Sequence, residues 1–152
     1  MSQPRPQTSS ILKLDVSQKK RILIVDDEVD ITTVFKLGLE KADFVVDAYT
    51  DPVLALSEYK PDMYDLLLFD IKMPKMDGFE LYEKIKDIEV EKKKDRNKKT
   101  AICFITAHED YRSQFKNSFQ TLEEEDCFLK KPILLPDLVK ISKNAVRFVI
   151  GR

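Results

Sequence analysis

The sequence predicts an α/β fold in which helices cover both faces of a doubly wound parallel sheet. Short apolar runs rich in β-branched residues alternate with segments of helical period along the chain. Such alternation predicts βα units and a parallel sheet. The unit recurs five times between residues 21 and 150, whereas a closed barrel of this type needs about eight units. We therefore expect an open sheet with right-handed crossovers.

The first unit shows both signals. Residues 22–25 are Ile-Leu-Ile-Val, an apolar run typical of a parallel strand that is buried on both faces. Apolar residues at helical spacing follow this run, which predicts a helix with one buried side. The residues expected on that side are Ile31, Val34, Phe35, Gly38 and Leu39.

The second unit carries a helix-start signal. Residues 44–46, Phe-Val-Val, predict the second strand. Asp51 followed by Pro52 matches an N-cap residue with a proline at the first helical position. The apolar side of that helix is expected to contain Leu54, Ala55, Leu56 and Tyr59.

The other three units repeat the order of strand and helix. Residues 66–69, 101–105 and 127–129 predict the third, fourth and fifth strands. The helices are expected at residues 78–88, at residues 109–121 and from Pro136 onward, and residues 89–99 form a charged connection. The apolar side of the last helix is expected to contain Leu138, Ile141, Ala145, Val146 and Val149.

Composition limits the class of protein. The chain has 152 residues, which predicts one domain, expected at residues 20–152 after a flexible N-terminal tail at residues 1–19. The net charge of −1 argues against a general nucleic-acid binder, which is normally strongly basic. The chain has no apolar run long enough for a membrane helix, and its N-terminus does not resemble a secretory signal. We therefore expect a cytoplasmic protein with reduced cysteines.

Several phosphate-binding and metal-binding motifs are absent from the sequence. The three glycines form neither a dinucleotide-binding fingerprint nor a P-loop. The single histidine, His108, excludes a zinc site with several histidines. Any phosphate chemistry must therefore use carboxylates, hydroxyls and lysines.

Such residues do follow the predicted strands. Ligands of open α/β sheets bind at the carboxyl ends of the strands, where these side chains converge if the fold is right. The first strand is followed by Asp26-Asp27-Glu28, the third by Asp70, the fourth by Thr106-Ala107 and the fifth by Lys130-Lys131-Pro132.

Together these groups suit phosphoryl transfer. Crowded carboxylates repel one another unless a hard divalent cation such as Mg²⁺ joins them. A lysine can pair with an anion, and a threonine hydroxyl can donate a hydrogen bond to a phosphate oxygen. One carboxylate can act as a nucleophile and form an aspartyl phosphate.

Each residue alone has a simpler interpretation. Asp26 or Asp27 can cap the first helix, and Asp70 can form a turn before Met73-Pro74. Lys130 and Lys131 can be a solvated pair. Only the occurrence of all these residue types at one end of one sheet favours a functional site.

The same residues carry a family resemblance. Residues 70–78 match the pattern D-x-x-M-P-x-M-D-G, residues 22–28 are Ile-Leu-Ile-Val-Asp-Asp-Glu, residues 105–107 are Ile-Thr-Ala, and residues 128–132 are Phe-Leu-Lys-Lys-Pro. With these motifs the chain resembles the receiver domain of two-component response regulators from about residue 21 to residue 149. The resemblance implies a flavodoxin-like (βα)5 fold with strand order 2-1-3-4-5.

The resemblance also implies a role for each matching residue. Asp70 is implied as the phosphoacceptor, with Asp26, Asp27, Asp70 and the backbone carbonyl of Lys72 as Mg²⁺ ligands. Lys131 is implied to pair with the phosphoryl group. The Lys131–Pro132 peptide bond that follows it is expected to be cis. Thr106 and Phe128 are implied as the switch residues.

Two further positions are implied to set how long the phosphate lasts. Lys72 and His108 lie two residues beyond Asp70 and Thr106. In receiver domains these positions flank the path of the attacking water. We expect replacement of either residue by alanine to change the dephosphorylation rate without abolishing phosphorylation.

The implied function is a switch in a phosphorelay and not an enzyme that turns over a metabolite. The phosphoryl donor is expected to be a sensor histidine kinase or a phosphotransfer protein. A downstream protein target is expected on the face formed by the fourth predicted helix, the fifth strand and the last helix, where a homodimer is also compatible with the resemblance. We expect a stand-alone receiver without a DNA-binding output domain, and no membrane partner.

Three alternatives remain open. A phosphatase of the haloacid dehalogenase type has an acidic residue two positions after its nucleophile, where this chain has Lys72. A phosphate-independent adaptor with a receiver fold does not need the complete set of site residues, and nucleic-acid binding through residues 92–99 has little support from the net charge. The charged segments 89–99 and 123–126 are expected to be solvated, with partner docking at 123–126 as the alternative.

Overall fold

The computed structural model describes residues 19–107 and 127–150 of the chain. In this part, the chain forms five strands and four helices. The strands are β1 (Arg21–Val25), β2 (Val45–Tyr49), β3 (Leu66–Asp70), β4 (Ala101–Thr106) and β5 (Cys127–Lys130), and the helices are α1 (Val29–Lys41), α2 (Pro52–Glu58), α3 (Gly78–Lys92) and α4 (Leu135–Ile150).

The five strands form one parallel sheet with the order β2-β1-β3-β4-β5. All five residues of the central strand β3 are buried, as are all six of β4. This burial explains why these strands read as continuous apolar runs and not as alternating patterns. The expected doubly wound fold is confirmed.

Two hydrophobic cores lie on the two faces of the sheet. Alternate residues of one strand point to opposite faces, so neighbouring residues of β1, β3 and β4 belong to different cores. Leu23, Leu67 and Phe104 pack with residues of α2 and α3, including Ala55, Leu81 and Ile85. Ile22, Leu68 and Ile105 pack with residues of α1 and α4, including Phe35, Leu39, Leu138 and Ala145.

Two helices begin with a side-chain cap. The Asp51 carboxylate accepts a hydrogen bond from the Val53 amide at 2.9 Å, with Pro52 as the first residue of α2, as expected from the sequence. Asp77 caps α3 by accepting from the Glu80 amide at 2.8 Å. These caps fix where the loops after β2 and β3 turn into helices.

Some details differ from the sequence-based predictions. Val34 is 53% exposed and Leu54 is 46% exposed, although both were expected on buried helix sides. Val34 lies about 100° around α1 from buried Phe35, and Leu54 lies about 100° around α2 from buried Ala55. This rotation places both exposed side chains just outside the buried side of their helix. Helix α3 continues to Lys92, so residues 89–92 belong to the helix and not to the charged connection.

Other predictions meet the limits of the described residues. The N-terminal segment 1–18, the predicted helix 109–121, His108 and the acidic segment 123–126 lie outside them.

Cys103, fully buried in β4, is disulfide-bonded, and its register partner on β5 is Cys127. The expectation of a reduced thiol is therefore wrong for Cys103. Among the described residues, none of the helices is long and apolar enough to cross a membrane.

Candidate functional site

Four strands bring the predicted site residues to one edge of the sheet. β1 leads into Asp26 and Asp27, β3 ends at Asp70, β4 ends at Thr106, and β5 leads into Lys131. Because all strands run parallel, their carboxyl ends meet at this edge, and the loops that follow surround an open cavity of about 530 Å³. The cavity is lined by Asp27, Glu28, Asp70, Lys72, Met73, Pro74, Thr106, Ala107 and Lys131.

Three carboxylates form the acidic part of the site. One oxygen from each of Asp26, Asp27 and Asp70 lies within 4.8 Å of the others, close enough to hold one metal ion. Asp26 and Asp70 are 2% and 6% exposed, whereas Asp27 is exposed to solvent. Oxygen ligands in this arrangement suit a hard cation such as Mg²⁺.

The capping interpretation of Asp26 and Asp27 is wrong. The N-cap residue of α1 is Glu28, and its side chain makes no capping hydrogen bond. The Asp26 carboxylate instead accepts from the Glu28 amide at 3.0 Å, which orients it at the end of β1. Neither aspartate is therefore used to start the helix.

Lys131 is the cationic part of the site. Its Nζ lies 2.7 Å from Asp26 Oδ2 and 3.6 Å from Asp70 Oδ2, and its side chain is only 11% exposed. The Lys131 amide donates to the Thr106 carbonyl at 2.7 Å, which ties the loop after β5 to the end of β4. The Lys131–Pro132 peptide bond is cis, as expected. Lys131 is thus buried against carboxylates, whereas its neighbour Lys130 is exposed.

Burial and mutual repulsion shift the acid–base properties of the site. Desolvation by burial, followed by repulsion from Asp26, raises the pKa of Asp70 from 3.8 to about 7. Desolvation also raises the pKa of Asp26, and its hydrogen bond from Lys131 only partly opposes this. Burial lowers the pKa of Lys131, but the hydrogen bond and charge of Asp26 outweigh it, so the net shift is upward and the ammonium form is favoured.

These shifts predict an unusual pH dependence of stability in the metal-free protein. Folded Asp70 binds its proton more tightly than unfolded Asp70, so folding is favoured most below pH 4 as far as this group is concerned. Its contribution is lost as the pH rises through about 7. We expect the Asp70→Asn variant to be more stable than the wild type at pH 8 in EDTA, by a few kcal/mol at about 1.4 kcal/mol per pKa unit.

Urea unfolding of both proteins between pH 4 and pH 8 measures this difference. The variant should gain on the wild type as the pH rises, and the gap should narrow when Mg²⁺ replaces EDTA. A difference in unfolding free energy that is independent of pH contradicts the buried-carboxylate explanation.

The structure assigns Glu28 a contact that the sequence did not reveal. Glu28 Oε1 lies 3.2 Å from Lys131 Nζ, so three carboxylates surround this one ammonium group. The Glu28 side chain is 62% exposed, which makes this ion pair weaker than the buried contact with Asp26. In the sequence, Glu28 directly follows Asp26-Asp27, which could have indicated that it belongs to the site. An acidic residue just before a helix is equally well explained by the start of that helix.

Gly78 is a second residue whose importance comes from the tertiary structure. Its amide donates to the Ile71 carbonyl at 2.8 Å, which folds the loop after β3 back over the end of that strand. A Cβ atom at position 78 would lie 2.3 Å from the Asp70 carbonyl oxygen. Only glycine lets the start of α3 approach the backbone of Asp70 this closely.

The remaining predicted site residues lie in different places. Thr106 is 1% exposed and lines the cavity, and Lys72 lines it with an exposed side chain. Phe128 is half-buried and packs against the core on the α2 and α3 side of the sheet. The structure therefore brings together Asp26, Asp27, Asp70, Thr106, Lys72 and Lys131, while Phe128 is set back and His108 is outside the described residues.

This arrangement can hold a divalent cation and an anionic group side by side. The carboxylates offer oxygen ligands, Lys131 offers a positive charge, and Thr106 contributes to the same cavity wall. Asp70, with an oxygen 3.6 Å from the ammonium of Lys131, can attack an electrophile that enters the cavity.

Comparison with known proteins gives a consistent picture. The family model described as the response regulator receiver domain matches residues 22–143. The transcriptional activator protein IrlR of Burkholderia pseudomallei (strain 1026b) is 30% identical over 128 residues, which cover 84% of this chain and 50% of that protein. The chain thus spans about half the length of this curated relative.

Solved structures share the fold. The CheY-like response regulator receiver domain protein of Methanospirillum hungatei JF-1 superposes with a TM-score of 0.69 at 25% identity, over 88% of this chain and 98% of that chain. The response regulator protein TrrA of Thermotoga maritima, solved in complex with Mg²⁺-BeF, has a TM-score of 0.63 at 28% identity, over 83% and 98% of the two chains.

Proposed function

The chain belongs to the response regulator receiver domain family, and we propose that it is a phosphorylation-dependent switch with Asp70 as the phosphoacceptor. The observation that carries this proposal is the convergence of Asp26, Asp27, Asp70 and Lys131 in one open cavity at the carboxyl edge of the sheet. Three carboxylates face a single lysine there, so the cavity has an excess of negative charge that a divalent cation would neutralise.

In the proposed reaction Asp70 is the nucleophile. One of its carboxylate oxygens attacks the phosphorus of a phosphohistidine, a P–O bond forms, and the P–N bond breaks. The histidine nitrogen leaves with the electron pair of that bond and takes up a proton. The product is an aspartyl phosphate on Asp70 and an unmodified histidine on the donor.

The neighbouring residues balance the charge of this transfer. Lys131 is near enough to Asp70 to turn its ammonium group toward a phosphoryl oxygen. Thr106 can donate its hydroxyl hydrogen to another such oxygen from the cavity wall. We propose that Asp26, Asp27, Asp70 and the backbone carbonyl of Lys72 would hold Mg²⁺, which supplies positive charge to the phosphoryl oxygens when bound.

The switch itself uses the elements next to the site. We propose that the phosphoryl group draws Thr106 and Lys131 toward it, and that Phe128 turns inward beside Thr106. The phosphoryl charge thereby biases a two-state surface that includes β5 and α4. The proposed partners are a sensor histidine kinase or a phosphotransfer protein as donor and a downstream protein on this surface.

Intact-mass measurement tests the chemistry directly. The wild-type protein is incubated with acetyl phosphate in Mg²⁺ and, separately, in EDTA. We expect the mass of one phosphoryl group to be gained in Mg²⁺ and not in EDTA. No gain under either condition, with an intact fold and with histidine-kinase donors also tested, would favour a phosphate-independent adaptor.

Lys72 is proposed to control how long the phosphate lasts. Its exposed side chain lines the same cavity as Asp70. In the proposed role it hinders the approach of water to the aspartyl phosphate. We expect Lys72→Ala to shorten the phosphate half-life about fivefold, equivalent to a barrier lower by about 1 kcal/mol, without preventing phosphorylation. Loss of the phosphoryl mass with time after quenching of the donor measures the rate.

The control for Lys72 is Lys84→Ala, which removes an exposed lysine of α3 outside the cavity. Its half-life should equal that of the wild type. Equal half-lives for the Lys72 variant and the wild type would reject the role of Lys72. The corresponding role of His108 stays a prediction.

A further inference from the structure

A second cavity lies far along α3 from the site. It has a volume of about 300 Å³ and is lined by Lys86, Glu89, Val90, Lys93 and Arg96, which we call the α3 groove. Helix α3 starts beside Asp70 and ends at Lys92, shortly before β4 begins. The α3 groove therefore lies toward the amino ends of the strands and is separate from the proposed phosphorylation chemistry.

The turn that forms one side of the groove is held in place by hydrogen bonds. The amides of Lys94 and Asp95 both donate to Asp62 Oδ2, at 2.8 and 3.2 Å. Lys98 Nζ lies 3.4 Å from Asp65 Oδ1, and the Lys98 amide donates to the Asp95 carbonyl at 3.2 Å. A surface that is ordered in advance loses less entropy when it binds a partner.

Several basic side chains in and next to this turn form no ion pair within the described part of the chain. Lys98 is paired with Asp65, and Lys93 Nζ donates to the Lys98 carbonyl. The other basic residues of the segment are exposed, and no carboxylate pairs with them in the described part of the chain. They are Lys92, Lys94, Arg96 and Lys99.

The floor of the groove offers an acceptor and an apolar contact. Glu89 Oε1 accepts a hydrogen bond from the Tyr59 hydroxyl, whereas Glu89 Oε2 is buried and has no partner in the structure. A buried acceptor without a donor is unfavourable, so rotation of the Glu89 side chain that brings this oxygen to an N–H group of a bound ligand would be favoured. Val90, at 78% exposed, is a large apolar side chain left open to solvent at the same place.

We propose that the α3 groove binds an acidic segment of a partner protein that also carries aliphatic side chains. Such a segment has carboxylates for Arg96 and the neighbouring lysines, backbone N–H groups for Glu89, and aliphatic groups for Val90. An anionic membrane or a nucleic acid matches the groove less well. Both are densely negative, and Asp87, Glu91 and Asp95 stand among the lysines of this surface.

A binding titration with a synthetic peptide tests this proposal. The probe is a fluorescent peptide of alternating glutamate and leucine, followed by anisotropy with the whole chain. The groove variant combines Lys94→Glu with Arg96→Glu, and the control combines Lys41→Glu with Lys84→Glu, two exposed positions on α1 and α3 outside the groove lining. We expect the groove variant to bind at least about tenfold more weakly than the wild type, because charge-assisted contacts are lost, and the control to bind within about twofold.

A second variant tests the apolar part without changing charge. Val90→Ser should weaken binding of the glutamate–leucine peptide. It should have no effect on a peptide in which serine replaces each leucine. Because Val90 is exposed, this substitution leaves the packing of the core intact.

Several outcomes would overturn the proposal. They are no saturable binding to the wild type, equal loss in the groove and control variants, and no effect of Val90→Ser. Tighter binding to phosphatidylserine vesicles or to duplex DNA than to the peptide would also overturn it, since the preferred ligand would then not be a protein segment.

Discussion

Asp70→Asn is expected to prevent phosphorylation completely while leaving the fold intact. Asparagine has nearly the shape of aspartate, but its amide is a poor nucleophile and carries no charge. Incubation with acetyl phosphate and Mg²⁺ should add the mass of one phosphoryl group to the wild type and none to the variant. The loss of phosphorylation is expected to be complete because Asp70 forms the bond to phosphorus, whereas the other site residues only assist this step.

The chain offers a matched control for this change. Asp43 is a surface residue whose side chain is 87% exposed, and its backbone φ is +74°. Asparagine tolerates this left-handed conformation at least as well as aspartate. Asp43→Asn should therefore be phosphorylated to the same extent as the wild type.

The result of this experiment distinguishes phosphorylation on Asp70 from phosphorylation on another residue and from a phosphate-independent adaptor. Phosphorylation of the Asp70 variant at the wild-type level would mean that another residue accepts the phosphoryl group, and peptide mapping would locate it. If neither the wild type nor the variants were phosphorylated, with histidine-kinase donors also tested, a phosphate-independent adaptor would be favoured. Only loss in the Asp70 variant together with retention in the Asp43 variant supports Asp70 as the phosphoacceptor.

Gly78→Ala is expected to damage both the stability and the site. The new Cβ atom would lie 2.3 Å from the Asp70 carbonyl oxygen and 3.1 Å from the Ile71 Cα, and both are backbone atoms that cannot rotate away. Either α3 must move or the end of β3 must move. Overpacking of this kind costs about 1–3 kcal/mol, and more where backbone must shift.

The change should also reach the chemistry, because it displaces the backbone that holds the Asp70 side chain. We expect the rate of phosphorylation by acetyl phosphate to fall about tenfold or more, since small displacements of a reacting group have large effects on rate. Urea unfolding measures the stability and intact mass measures the rate. Both are taken at a temperature where the variant is still folded.

Gly38→Ala provides the comparison. A Cβ atom at position 38 would meet the side chain of Leu135 at 2.3 Å, but that contact is with the end of a flexible side chain. The residue also lies inside α1, where alanine is favoured over glycine by about 1 kcal/mol. We expect a smaller change in stability than for Gly78→Ala and no change in phosphorylation rate.

If Gly78→Ala were as stable and as reactive as the wild type, the contact with Asp70 would not constrain the site. If both glycine variants lost stability but neither lost reactivity, Gly78 would serve packing only. A loss of reactivity in the Gly78 variant alone supports its role in positioning Asp70.

Much of the fold could be predicted because its signals are local. The runs at residues 22–25, 66–69 and 101–105 are apolar throughout, which is a consequence of burial on both faces of a parallel sheet. The Asp51-Pro52 signal located the start of α2 correctly. The resemblance to receiver domains, stated from four short motifs, is confirmed by the family match over residues 22–143.

Predictions failed where neighbouring elements decide the outcome. Val34 fits the apolar spacing of α1 as well as Phe35 does, but the sheet covers only one arc of the helix. Nothing in the charged composition of residues 89–92 distinguishes the end of a helix from a loop. The capping of Asp26 and Asp27 was excluded only when the N-cap of α1 was found at Glu28.

By itself the sequence predicted the fold class, the family and most of the residues that meet at the site. These properties depend on residue type, on spacing and on the order of strands, all of which can be read along the chain. Only the tertiary structure decided that Lys131 lies between Asp26, Glu28 and Asp70, and that Gly78 meets the backbone of Asp70. The physical reason is distance along the chain: Glu28 and Lys131 are 103 residues apart, and their contact exists only because parallel strands end at one edge of a folded sheet.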